Sequence, residues 1–303
     1  MLPKFLESLG NNLAHQWLAQ VFSPAFIFWF GGILAWISRF EWENFESFLS
    51  QENTTQPLFY LLSGLLIIGI SAIIVQRIEL YVLRFLEGYW FRWMNPVRHW
   101  FINIKWKQAK KVRCQLKRLS QKGLEVLTTN ELDEYVRLDC QRRQTPYKKE
   151  YLMPTRLGNI LRTAERRSFE RYGLELSVCF PRLWLLLSND IKAELAEARA
   201  QLNVMVRIWI WGFLFLGWSV WAWWAIPTAI IVMCSAYFWM LDAALIYGDL
   251  LESTFDLNRT LLYKSLRFPL PKDPTEEQQR GRALTEYLWR GFTDPELTFE
   301  ELE

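Results

Sequence analysis

Asp242, Asp249 and Asp256 recur at a spacing of seven, which puts them two turns apart on nearly one face of a helix. If several copies assembled with that face inward, they would form carboxylate rings at a pore mouth, and such rings favour cations. The same spacing also arises on any helix with one wet side. Asp242 has a second possible role. Together with Arg207 it brackets 34 residues, 208–241, that contain no Asp, Glu, Lys or Arg. If that run folds as a hairpin, the two charges lie at similar depth near one membrane face. They are then expected to form an intramembrane ion pair, because a lone charge there is costly. Separate access of each to headgroup water is the alternative.

Two further groups carry cations. Arg92, Arg98, Lys105, Lys107, Lys110 and Lys111 are interleaved with Trp90, Phe91, Trp93, Trp100, Phe101 and Trp106. That mixture suits a helix in the headgroup layer of an anionic leaflet, and it also suits stacking on single-stranded nucleic acid. The segment follows directly on an apolar run, which favours lipid over nucleic acid. Arg156, Arg162 and Arg166 form a third group. Arginine forks onto oxyanions, so these could receive an anionic ligand, although Glu165, Glu170 and Glu175 are close enough in sequence to neutralise them.

Chemistry of other kinds has little to work with. The chain holds only His15 and His99, far apart, and no HExxH, nucleophile elbow, P-loop or GxGxxG. Cys114, Cys140, Cys179 and Cys234 have neither disulfide nor zinc spacing. The expectation is a non-enzymatic protein with no catalytic residues, metal or cofactor.

The elements that must position these residues are read from the uncharged runs. A span needs about 20 apolar residues, so 208–241 is too long for one crossing and fits two. Its turn is expected at 222–226, beside Trp218, Trp221, Trp223 and Trp224, since tryptophan favours the membrane–water interface. Two earlier spans are expected at 19–38 and 58–76, after an amphipathic lead-in at 1–18. Gly31, Gly32 and Ala35 give the first a smooth patch for a neighbouring helix. The link 39–57 is acidic, whereas 77–122 carries 12 Lys/Arg against Glu79 and Glu87 alone. Basic loops stay on the cytoplasmic side, so this segment is expected inside, with both termini.

Between the hairpins, 124–188 alternates both signs of charge. Thr128 and Glu131 are placed to form a capping box, with a helix running to Arg143. A second helix is expected after Pro154, and a third from Ser188 or Asn189 into the third span. The fourth span is expected to continue inward until PLPKDP at 269–274, followed by a helix over 275–290 and an acidic tail. The strings Pro154-Thr155-Arg156-Leu157-Gly158-Asn159, Arg171-Tyr172-Gly173 and Pro181-Arg182-Leu183-Trp184 resemble uncharacterised bacterial multi-span membrane proteins. That resemblance implies a bacterial inner (plasma) membrane setting and carries over no known activity and no catalytic residues.

The fold expected is all-α: a polytopic membrane protein with four transmembrane helices and a helical cytoplasmic domain. Its parts are 1–76 (lead-in and first hairpin), 77–203 (juxtamembrane segment and helical domain), 204–248 (second hairpin) and 249–303 (extension and tail). The function expected is an anchor or signalling module. Its basic domain meets anionic inner-leaflet lipid and a cytoplasmic partner or anionic ligand. A homo-oligomeric channel with an Asp-lined mouth is the alternative.

Overall fold

The computed structural model describes residues 23–40 and 55–291, so the lead-in, most of the acidic link and the acidic tail lie outside the described residues. All regular structure among those residues is helical. The helices are α1 (Ser23–Phe40), α2 (Thr55–Glu87), α3 (Asn95–Gln121), α4 (Thr129–Arg143), α5 (Arg156–Tyr172), α6 (Leu176–Leu186), α7 (Asn189–Phe215), α8 (Ala225–Ser265) and α9 (Pro274–Arg290). Helices α2, α7 and α8 are long and apolar enough to cross a membrane, and α1 is a shorter apolar helix. The chain divides into two compact units. One comprises Met1–Leu83 with Ala200–Met240, the other Arg84–Arg199 with Leu241–Glu303.

The first unit is held by small residues that let aromatic rings approach. A Cβ on Gly31 would stand 2.5 Å from the Phe215 ring, and one on Gly32 would stand 2.5 Å from the Trp218 ring. Ala35 is fully buried. The Gly/Ala patch of α1 is therefore filled by the end of α7 and the 3-10 turn after it, Leu216–Val220. Phe28 packs between Trp211 and Trp218 at 4.9 and 5.2 Å, and Trp29 donates to Ser71 Oγ of α2. The outward faces are apolar: Leu66, Ile231 and Phe238 are each more than 60 % exposed. Surface of this extent and composition is stable only against lipid or another apolar partner. The hairpin turn differs slightly from expectation. The α-helix stops at Phe215, and α8 begins at Ala225, two residues before Pro227. A proline so early in a helix costs nothing, since its missing N–H would have had no intrahelical acceptor.

The second unit is a helical domain around Leu174, Cys179, Leu183, Phe255, Leu262, Tyr263 and Leu284, contributed by α6, α8, α9 and the turn before α6. A smaller apolar contact of Leu116, Leu119 and Leu138 joins α3 to α4. The Thr128–Glu131 capping box forms and α4 ends at Arg143, as the sequence indicates. From its residues, Arg77–Met94 reads as a continuation of the second span's helix until Pro96, but α2 stops at Glu87. Pro96 does not end it but opens α3 as a first-turn residue, and the break is Gly88 with φ +104°. Pro154 packs against Gly88 so closely that a Cβ there would lie 2.3 Å from its ring.

Residues 154–159, 171–173 and 181–184 have local structural roles. Thr155 caps α5 by accepting from Gly158 N, and buried Asn159 bonds Met153 N, Met153 O and Thr155 O. Gly173, with φ +72°, ends α5 in the left-handed region that favours glycine. Arg182 reaches back to Val178 O within α6.

Candidate functional site

Arg207 is buried, and its partner is Glu79 rather than Asp242. The Arg207 Nε to Glu79 Oε2 separation is 3.2 Å, and the side chains are 7 % and 13 % exposed. Attraction at that distance holds the pair, since Nε–H is not aligned on Oε2 as a hydrogen bond. Asn203, one turn before Arg207, donates to the other oxygen, Glu79 Oε1, at 3.3 Å. Equal depth along a hairpin is satisfied by any charge at that level, and Glu79 of α2 lies at it.

The three aspartates do not act alike. Asp242 and Asp249 are exposed, whereas Asp256 accepts from Tyr172 Oη at 2.6 Å and pairs with Arg171 at 3.3 Å. Arg171 also pairs with Glu252 at 2.8 Å, and Arg167 pairs with the same carboxylate. Burial and the Asp256 hydrogen bond hold the Tyr172 phenol above its ordinary range. These contacts fasten α5 to the later part of α8.

Arg162 and Arg166 are neutralised in the way the alternative reading held. Arg166 pairs with Glu175 at 3.2 Å, is 14 % exposed and lies over the Tyr151 ring at 4.0 Å. Arg162 meets Glu165 at 3.5 Å. Near them is Glu87, whose carboxyl burial lifts to about 7; Glu165 adds to the rise, while Arg199, Arg84 and Arg162 oppose it.

Arg92, Lys107, Lys110 and Lys111 are exposed, as are Phe91, Trp93 and Trp100, at 66, 77 and 59 %. Lys110 lies over Trp106, and Arg98 is half-buried and donates to Gly88 O at 3.3 Å, closing the end of α2.

A groove of about 520 Å³ lies within the second unit, between α3, α4 and the start of α5. Six cations line it: Lys105, Lys111 and Arg113 from α3, Arg137 and Arg142 from α4, and Arg156 at the first position of α5. No Asp or Glu does. Arg142 pairs with Asp139 at 3.0 Å, and Arg113 donates to Pro146 O while stacking on Tyr147 at 4.4 Å. Arg156 donates to Gln144 Oε1 at 3.2 Å. Among the described residues, Lys105, Lys111, Arg137 and Arg156 have no carboxylate at ion-pair distance. Elsewhere in this unit, Arg166, Arg167, Arg171 and Arg259 are each matched by an acid; here four like charges converge without one. Such an arrangement raises the local concentration of anions and costs the free protein some stability.

Reasoning from the sequence reached Lys105, Lys111 and Arg156 but not Arg137. A signal was present: Arg137, Gln141 and Gln144 fall at i, i+4 and i+7, on one face of the last turns of α4 and its C-cap.

No family model, curated protein or solved structure matches the chain.

Proposed function

We propose that this is a non-enzymatic, membrane-anchored binding module that crosses a bacterial inner membrane four times. The helical second unit, with both termini, faces the cytoplasm. The cationic, aromatic flank from Arg92 to Lys111 rests in anionic headgroups, and the groove receives an anionic ligand or the acidic part of a partner protein. One observation carries this reading: six cations around one groove with no carboxylate in its lining. The exposed Trp93 and Trp100 beside basic residues support the lipid contact.

Titration of the full-length protein, in a mild detergent, with short-chain phosphatidylglycerol is expected to raise its melting temperature. The gain should fade as ionic strength passes about 0.1 M, where charges more than ~10 Å apart are screened. Short-chain phosphatidylcholine is expected to do nothing. Equal effects of the two lipids would overturn the reading.

Topology has its own check. Cys114 and Cys140 are exposed in the second unit. A membrane-impermeant maleimide added to intact cells is expected to leave both unmodified and to label both once the membrane is opened. Labelling before permeabilisation would place this unit outside.

A further inference from the structure

We infer that the groove between α3, α4 and the start of α5 binds a phosphorylated polyol, a small frame that bears at least two phosphoryl groups and keeps at least one free hydroxyl. This rests on the reading above that the second unit binds anions, and gives that ligand a chemical class.

Charge sets the first requirement. Lys105, Lys111, Arg137 and Arg156 have no carboxylate at ion-pair distance among the described residues, so a singly charged anion would leave most of their repulsion unrelieved. They are also spread out. Lys105 and Lys111 are six residues apart on α3, about 9 Å along the axis at the helical rise. Arg137 approaches from α4 and Arg156 from α5. Two or more separated phosphoryl groups match that distribution better than one.

The uncharged lining sets the second. Gln108, Gln115, Gln141 and Gln144 stand among the cations, with Thr145 beside them. Each amide offers two N–H donors and a carbonyl acceptor, the complement of an alcohol that both donates and accepts. A bare polyphosphate has no hydroxyl to use those acceptors. The lining also contains no Phe, Tyr, Trp or His. A nucleobase is held by stacking as much as by its edges, so the lack of a ring here argues against a nucleotide or a single strand of nucleic acid. The volume of about 520 Å³ suits a ligand of sugar-phosphate size.

This chemistry has two sources: a soluble sugar bisphosphate, or the diphosphatidylglycerol headgroup, in which a glycerol hydroxyl lies between two phosphates. The test uses full-length protein in nanodiscs. In the first arm, phosphatidylcholine discs are titrated calorimetrically with fructose 1,6-bisphosphate and, separately, with inorganic tripolyphosphate. In the second, melting is compared between discs made with and without diphosphatidylglycerol. Each arm is repeated with Lys105→Gln/Arg137→Gln, with Gln141→Leu, and with Lys148→Gln/Lys149→Gln. The last pair removes the same charge from exposed positions outside the groove.

Either the bisphosphate binds or diphosphatidylglycerol raises the melting temperature, and the arm that responds identifies the source. Lys105→Gln/Arg137→Gln is expected to weaken the responding arm at least tenfold in affinity, or to abolish the melting shift. The Lys148/Lys149 pair should leave it within twofold. Gln141→Leu, which keeps every charge, should weaken the polyol ligand several-fold while sparing tripolyphosphate. Loss of the same size in both charge-removing variants would reduce the effect to net charge and overturn the proposal. Tripolyphosphate binding more tightly than the bisphosphate, with no response to diphosphatidylglycerol, would overturn the polyol assignment. Failure of both arms while phosphatidylglycerol still stabilises the detergent-solubilised protein would remove the groove's ligand and leave the broader anion-binding reading standing.

Discussion

Arg207→Leu is expected to destabilise the protein by about 3–5 kcal/mol, among the largest effects of any single substitution in the first unit. Its cause is the charge left behind. The Glu79 carboxylate, 13 % exposed, would lose the guanidinium 3.2 Å away, and the neutral Asn203 amide does not replace that charge. The converse change, Glu79→Leu, strands an arginine that is 7 % exposed and is expected to cost a similar amount. The double variant Glu79→Leu/Arg207→Leu removes both charges together. It should recover most of the loss, because desolvating an ion pair offsets much of its attraction and two leucines pack where it stood. Unfolding in mixed micelles of rising dodecyl sulfate, followed by tryptophan emission, reads all four proteins. Two cheap single changes, or a double variant worse than the two losses added, would show that the pair carries no such energy.

That pair also marks where sequence reasoning stops. Arg207 is legible as a charge needing a partner, since no Asp, Glu, Lys or Arg follows it for a full hairpin. Depth was legible too, from counting along the helices. Which of two acids at the same depth faces it was not, because that depends on how α2 packs against α7, and neither helix's spacing encodes its neighbour. Local signals fared better. The capping box at Thr128 and Glu131, the unbroken course of α7 and α8, and the stop at 269–274 rest on interactions within a few residues, and they appear where expected. The end of α2 was misplaced for an instructive reason. Proline forbids a hydrogen bond and reads as a stop, yet it is equally a start, and the glycine eight residues before it had the stronger claim. The groove was legible only in fragments, since its cations come from three helices and its meaning lies in the acids that are missing. Asp256 reads as part of an aspartate face, and nothing in its spacing points to Tyr172 or Arg171, which engage it.

Gly158→Ala is the second change expected to be severe. It reverses the sign that helix propensity alone assigns. Near the start of an α-helix, alanine for glycine should stabilise by up to about 1 kcal/mol. Here a Cβ would stand 1.9 Å from the Glu87 carbonyl oxygen and 2.9 Å from its carbon, both backbone atoms that cannot swing aside. That carbonyl is one of the open acceptors at the end of α2, and Thr155 Oγ1 donates to it at 2.8 Å. The same Thr155 oxygen accepts from Gly158 N at 3.0 Å, so the glycine, the cap and the carbonyl form one contact. Relieving the clash means parting α5 from the end of α2 by more than 1 Å, which breaks the Thr155 bond and disturbs Asn159 beside it. The expected cost is about 3 kcal/mol, at the upper end for forcing extra volume into a packed site. Gly64→Ala supplies the comparison. Gly64 lies in the interior of α2 with nothing within 4 Å of its added Cβ, so that variant should be neutral or slightly stabilising. Melting of the two purified variants beside the parent decides the matter, and a Gly158→Ala protein as stable as the parent would mean that α5 does not rest on the Glu87 carbonyl at all.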